Sequence, residues 1–345
     1  MQTVRWEIHD DKTQYKDAIS EAAKLLRDGE TVAFPTETVY GLGADATNAD
    51  AVDKIFAAKG RPQDNPLIAH VGSKAQLKKL VQHIPEYVEQ LMDTFSPGPI
   101  TYVLYSNGTC SDKVTAGQDT IGVRIPDHPI ALELLQTCNI PIAAPSANIS
   151  GRPSPTTANH VWDDLQGKIA GLLDGGPTGV GVESTVIDCT QEIPIILRPG
   201  GISKEQLEEV VGEVKTDPAL VNDQLKPKAP GMKYKHYTPD VPLWLVDGSD
   251  EAIQLLIDKE RGKNKRVAFF ARDARCHGMT ADDIVPLGEN VGQVATRLYD
   301  ALRKYHASEM DLIICEAFAK EGIGDAVMNR LEKAASQFLT DIPNE

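Results

Sequence analysis

Hydroxyl and cationic side chains break into otherwise apolar stretches of this chain at a few positions, and their types suit the holding of a polyanion. Pro35-Thr36-Glu37-Thr38-Val39-Tyr40-Gly41-Leu42-Gly43 is a hydroxyl-rich turn that follows an apolar run. Lys59-Gly60-Arg61 sets two cations two residues apart. The run continues Pro62-Gln63-Asp64-Asn65-Pro66, and its prolines restrict the backbone on either side of Asn65. Two cations and an amide on a rigid loop make a better anion clamp than a solvated helix face. Ser146-Ala147-Asn148, Glu183-Ser184-Thr185 and Arg198-Pro199-Gly200 add further polar turns.

Arg124 lies within the apolar strand Ile121-Gly122-Val123-Arg124-Ile125, so it either pairs with a buried acid or faces a cleft. His70 ends another apolar strand, where a satisfied core histidine is a plainer reading than a catalyst. The stretch from Leu173 to Gly181 is glycine-rich but lacks the G-K-[ST] of a P-loop, which leaves a flexible turn and a phosphate contact both open. Gly41-Leu42-Gly43-Ala44-Asp45-Ala46 has the G-x-G-x-x-A form of a dinucleotide fingerprint. Pro35 to Tyr40 separates it from the preceding strand, however, and the fingerprint needs its glycines in the first βα turn. The eight histidines show no H-x-x-x-H spacing and no G-x-S-x-G appears, so neither a protein-built metal cage nor a nucleophilic triad is indicated.

These groups need elements to carry them. Residues 14–28 have helical spacing, with Tyr15, Ile19, Ala22, Ala23 and Leu26 on one face and Gly29 at the end. Residues 31–34 are then a strand. Asn48 caps a helix bearing Val52, Ile55 and Phe56, which delivers Lys59 and Arg61 just past its C-terminus. Residues 67–71, 100–105, 121–125 and 140–144 read as strands, and 130–137 as a helix. Ser73-Lys74-Ala75-Gln76 reads as a capping box for a helix holding Leu77, Leu80 and Val81. Residues 184–188 and 193–197 pair as a hairpin, and Ser203 caps a helix to 211. Strands and helices do not alternate strictly, so residues 1–211 form an α/β domain with an open, twisted mixed sheet.

Five prolines mark 212–242 as a linker. Between Leu225 and Thr238 it carries Lys226, Lys228, Lys233, Lys235 and His236 and no acid, as either a solvated connection or a lid over a polyphosphate. Residues 243–345 alternate regularly, with strands at 243–246, 267–270, 284–286 and 312–315 and helices at 252–259, 291–305 and 326–338. That is a smaller Rossmann-like α/β domain.

Against 35 Lys and Arg stand 50 Asp and Glu, a net charge of −15. Nucleic-acid binders carry a basic footprint, so little or no direct nucleic-acid binding is expected. No segment approaches the roughly 18 apolar residues of a membrane helix. The amino-terminal residues have no apolar h-region, and the five scattered cysteines show no C-x-x-C, so reduced thiols in the cytoplasm are expected.

Taken together, Pro35-Thr36-Glu37-Thr38-x-Tyr40-Gly41-Leu42, Lys59-x-Arg61-Pro62, Asn65-Pro66-Leu67, Ser146-x-Asn148, Glu183-Ser184-Thr185 and Arg198-Pro199-Gly200 closely resemble the YrdC-like family. Ala229-Pro230-Gly231-Met232-Lys233-Tyr234-x-His236-Tyr237 and the trailing domain resemble its long, two-domain threonylcarbamoyl-AMP synthases, over nearly the whole chain. The resemblance implies a nucleotidyltransferase. Such an enzyme converts L-threonine, bicarbonate or CO2 and ATP, with Mg2+ accompanying the ATP, into threonylcarbamoyl-AMP and pyrophosphate. The product feeds threonylcarbamoyl-adenosine modification of tRNA. The resemblance gives ATP to Lys59 and Arg61, also the expected catalytic pair, with Asn65, Thr120, Ser146, Asn148, Ser154, Arg198 and Tyr237. It gives threonine to Thr38, His70, Arg124, Ala144 and Ser184. Downstream tRNA threonylcarbamoyl-transferase proteins would then handle the RNA. Two rivals come from other classes. A non-catalytic RNA-binding module conflicts with the charge of −15. A carbamoyl transferase of the hydrogenase-maturation kind carries a zinc-finger region that this cysteine pattern cannot form.

Overall fold

The computed structural model describes residues 2–8, 12–220, 239–306 and 308–340. The chain divides into two units, residues 1–150 with 154–234 and residues 235–345 with 151–153. In the first, the strands are β1 (Val4–Glu7), β2 (Val32–Phe34), β3 (Gly41–Asp45), β4 (Ile68–His70), β5 (Ile100–Tyr105), β6 (Thr120–Arg124), β7 (Ile142–Ala143), β8 (Gly171–Asp174), β9 (Thr185–Asp188), β10 (Ile195–Arg198) and β11 (Lys215–Thr216). They form one mixed sheet in the order β1-β8-β2-β3-β7-β4-β6-β5-β9-β10-β11.

The local reasons are legible. Pro35 ends β2, and the chain returns antiparallel as β3, with Val32 opposite Gly43. The G-x-G-x-x-A segment is thus a strand and not the start of a helix, which removes the dinucleotide reading. Its glycine serves packing: a Cβ at Gly43 would lie 2.8 Å from Ile142 Cγ2 and 2.9 Å from Phe34 Cε1. The helix Ala49–Lys59 begins at Asn48, whose side chain accepts from the amides of Asp50 and Ala51, and ends at Gly60. Lys59 is therefore its last residue, not a residue beyond it. The hairpin of β9 and β10 forms as expected, and Ser203 and Gln206 make a full capping box for Lys204–Val211.

Three expectations need correction. Ser73 does accept from the Gln76 amide, but Gln76 Oε1 accepts from Gly72 at 2.7 Å and its Nε2 donates to Asn139. The reciprocal half of the capping box is absent, and that helix is only Lys74–Lys78, so Leu80 and Val81 lie beyond it. β7 is shorter than 140–144 because Pro141 has no amide to donate. The helices Glu86–Phe95 and Ala158–Leu165, with β1 and β8, escaped notice. The first starts at Pro85 without any side-chain cap, and β1 and β8 pair across most of the unit's sequence.

Residues paired across a ladder share a face, and successive residues alternate faces. One face of the large sheet carries Ala33, Leu42, Ala69, Tyr102, Ile121, Val123 and Ile187 into the main core. On the opposite face, the helices Lys12–Arg27 and Pro129–Cys138 cover Val32, Phe34, Ile142 and Leu173 in a second cluster. His70 is opposite both Ile142 of β7 and Arg124 of β6. It therefore stands where the helix-covered half of this face gives way to the half formed by β4, β6, β5 and β9. That half carries the polar residues.

In the second unit, β12 (Leu243–Val246), β13 (Val267–Ala271), β14 (Asp283–Pro286), β15 (Leu312–Glu316) and β16 (Gln337–Leu339) form a parallel sheet in the order β14-β13-β15-β12-β16. The helices Asp250–Arg261, Val291–Lys304 and Ile323–Ala334 connect them, as in a Rossmann-like domain. The expected helix 326–338 stops at Ala334, because the Ser336 amide and hydroxyl both donate to the Leu243 carbonyl and start β16.

Candidate active site

The half of this sheet face that the two helices leave free is the floor of the site, and its side chains are buried. His70 on β4 and Arg124 on β6 sit side by side. Ala144 follows β7 and donates its amide to the Ile68 carbonyl, which places it beside them. On β5, Thr101 meets Ser184 at 2.8 Å between hydroxyl oxygens. Arg198, on β10, donates from Nε at 3.2 Å and Nη2 at 2.9 Å to the Ser184 carbonyl, and from Nη2 to Ser184 Oγ at 3.2 Å. Gly200 explains how this turn closes. A Cβ there would lie 2.2 Å from the Thr185 nitrogen and 2.3 Å from the Ser184 carbonyl carbon.

The 35–40 loop forms one wall. Thr36 Oγ1 donates to the Val39 carbonyl at 2.7 Å and lies 2.8 Å from Thr38 Oγ1. Thr38 Oγ1 in turn accepts from Arg124 Nη2 at 3.0 Å, while Arg124 Nε donates to the Gly98 carbonyl. Glu37 Oε1 lies 2.7 Å from Arg124 Nη2. Of the two readings of Arg124, the buried acid is thus present, and Arg124 is only 4% exposed. The glycine-rich loop is no loose turn. The Val180 and Gly181 amides donate to the Glu37 and Thr38 carbonyls, and Tyr40 Oη donates to Gly176 and accepts from Gly175.

Lys59 and Arg61 turn to different partners. Lys59, 2% exposed, donates from Nζ to the carbonyls of Ser146 and Asn148, each at 2.5 Å. Ser146 Oγ donates to Asn148 Oδ1 at 2.5 Å, so one lysine and one hydrogen bond shape the Ser-Ala-Asn turn. Arg61 Nη2 instead faces the carbonyls of Asn65 and Pro66 at 3.4 and 3.2 Å. Asn65 is buried, and its Nδ2 makes no hydrogen bond among the described residues. Ser154 Oγ donates to Glu183 Oε1 at 2.6 Å, next to Ser184. Thr120 stands at the other end of β6 from Arg124, on a cleft it shares with Pro66, Ile68, Thr101, Gln118 and Gly122. Tyr237 and the basic segment 226–236 lie outside the described residues.

The electrostatics follow from burial. Burial first, then the neighbouring Arg124 charge, pushes His70 down to about 3, so the ring is neutral at ordinary pH and its Nδ1 pairs with the Ile68 carbonyl. His128, near Glu37, is also lowered by burial, against the opposing pull of Glu37 and then Asp127. Among the described residues no group of three His, Cys, Asp or Glu could hold a metal ion, and no helix is long and apolar enough to cross a membrane. Thr36, Glu37 and Glu183, quoted within their motifs but given no role, belong to the site, as does Thr101, which was not singled out. Thr101 carried a signal, a hydroxyl within Ile100-Thr101-Tyr102-Val103.

One face therefore gathers a buried arginine, a neutral histidine and several hydroxyls beside a lysine-backed turn. Residues 24–200 match a family model described as telomere recombination, and 202–336 match threonylcarbamoyl-AMP synthase, C-terminal domain. The threonylcarbamoyl-AMP synthase of Bacillus subtilis (strain 168) is 49% identical over 97% of this chain and 98% of its own. That of Pyrococcus abyssi (strain GE5 / Orsay) is 47% identical over 91% and 93%. The chain belongs to the threonylcarbamoyl-AMP synthase family. It is an enzyme, as the relatives' shared name states. Within the family, the solved structure of P. abyssi Sua5 complexed with L-threonine superposes with a TM-score of 0.92 at 44% identity, covering 99% of both chains. Both synthase units are thus matched in one structure.

Proposed function

We propose that this enzyme converts L-threonine, bicarbonate or CO2 and ATP into threonylcarbamoyl-AMP and pyrophosphate, for the threonylcarbamoyl-adenosine modification of tRNA. The observation that carries the reading is adjacency. Ala144, on the floor with His70 and Arg124, lies two residues before Ser146, in the turn that Lys59 holds. A threonine on the floor thus meets a nucleotide held by that turn. Threonine falls to Thr38, His70, Arg124, Ala144 and Ser184; a relative 44% identical was solved complexed with L-threonine, which supports threonine as a substrate. ATP falls to Lys59, Arg61, Asn65, Thr120, Ser146, Asn148, Ser154 and Arg198, with Tyr237 beyond the described residues.

The barrier is like-charge repulsion. A carbamate oxygen must attack the α-phosphorus while the bond to pyrophosphate breaks, and both partners are anions. No covalent nucleophile is required. Lys59 supplies fixed positive charge behind the Ser-Ala-Asn turn, and Arg61 supplies it from the neighbouring loop. Mg2+ accompanying the ATP would neutralise part of the triphosphate charge, beside the positive charge that Lys59 and Arg61 supply. The net charge of −15 suits an enzyme that hands its product to tRNA threonylcarbamoyl-transferase proteins and leaves RNA to them. Five unbridged cysteines suit the cytoplasm. Pure protein with ATP, bicarbonate and L-threonine will release pyrophosphate, and omitting threonine will stop it. Threonine-independent release would overturn the reading.

A further inference from the structure

Glu37 has no place in the roles assigned so far. Its side chain is 13% exposed and its Oε1 lies 2.7 Å from Arg124 Nη2. Among the described residues, however, neither carboxylate oxygen makes a well-aligned hydrogen bond, and both atoms are buried. A buried carboxylate whose neighbouring guanidinium is not aligned to donate to it is costly and rarely kept idle. Among the described residues, the charged and titratable groups that face it are Arg124 from β6, which also donates to Thr38, and His128 from the turn before the Pro129–Cys138 helix, itself beside Asp127. His128 Nδ1 is likewise buried with no partner among the described residues. A cation and an anion within ion-pair distance, beside a hydroxyl, match the two ends of a zwitterion.

We propose that Glu37 receives the α-ammonium of threonine while Arg124 receives its carboxylate, and that Glu37 accepts the proton whose loss lets carbamate form on the enzyme. This rests on the synthase reading above. An ammonium has no lone pair and cannot attack carbon. One N–H bond breaks, its electron pair stays on nitrogen, and the proton moves to Glu37 as a carboxylic acid. The freed pair forms the N–C bond to CO2 while one C=O pair moves onto oxygen. The second proton leaves nitrogen for water, giving the carbamate anion, and Glu37 returns its own proton to water before the next turnover.

The test compares wild type with Glu37→Gln and Glu37→Asp by threonine-dependent pyrophosphate release across pH, with thermal melts to confirm folding. Glu37→Gln is expected to lose at least tenfold in kcat near neutral pH. That deficit will shrink at alkaline pH, where free amine exists without a base, and Glu37→Asp will recover part of the rate. Calorimetric threonine binding will weaken in Glu37→Gln, whereas binding of 2,3-dihydroxybutanoate, which lacks the amine, will not. A pH-independent deficit, or equal weakening for both ligands, would reduce Glu37 to a support for Arg124 and overturn the proposal. If Glu37→Gln fails to fold, Glu37→Asp carries the same pH comparison. Absence of threonine-dependent release in wild type would instead sink the synthase reading itself.

Discussion

At the scale of residues, the site is held by charges taken out of water and given partners. Lys59 shows the consequence. Lys59→Met keeps the apolar stem but leaves the Ser146 and Asn148 carbonyls without their donor, at a cost of about 1–3 kcal/mol. Urea denaturation will show that loss, and pyrophosphate release will fall with it; an unchanged midpoint would mean the lysine does not shape the turn. His70 makes a prediction about pH. Unfolded, it takes up a proton below about 6.5, whereas folded it resists until about 3. Stability is therefore whole above 6.5 and lost as pH falls toward 3, by up to about 1.4 kcal/mol per unit. Between pH 7 and 5, wild type will lose about 2 kcal/mol more than His70→Gln in guanidinium denaturation. Equal losses would show that the ring is not buried neutral. Most of these residues were legible because each breaks a hydrophobic pattern. Glu37 and Glu183 were visible within motifs but received no role, since a carboxylate in a polar turn looks solvated until its burial is seen.

At the scale of elements, caps and punctuation predicted the pieces and distant pairing decided the rest. Asn48, Pro35 and Ser203 announced their boundaries in sequence, whereas the end of the Asn48 helix at Gly60 was placed too early. Ser73 and Gln76 announced a reciprocal cap that failed because Gly72 and Asn139 offered the glutamine other partners. β16 was hidden behind helix-forming alanines, and only its pairing with β12 made it a strand. Arg198-Pro199-Gly200 was readable as a motif but not as a close approach. Gly200→Ala will force the Ser184 segment aside, costing about 2 kcal/mol or more and weakening threonine binding. Gly179→Ala, whose new carbon would meet nothing nearer than 4.0 Å, will stay within about 0.5 kcal/mol in the same melt. Matching losses at both positions would refute the packing account.

At the scale of the whole molecule, the acidic balance sets what the enzyme meets. With a charge of −15, tRNA will bind at physiological salt no more tightly than about 10⁻⁴ M, with little salt dependence, by fluorescence anisotropy. A steep salt slope would reveal a basic patch hidden in the total. The mixed character of the large sheet was foreseeable from the irregular succession of strands, but its order was not, because local sequence does not encode which distant strands meet. That order has a kinetic side. Thr38, His70, Arg124, Ala144 and Ser184 come together only through β4, β6, β7 and the β9–β10 hairpin, so no shorter stretch of chain contains the proposed threonine site. Such non-local contacts form late in folding. During refolding, ligand capture will lag behind the return of far-ultraviolet circular dichroism, and a nascent chain halted before residue 184 will have much of its sheet and no appetite for threonine.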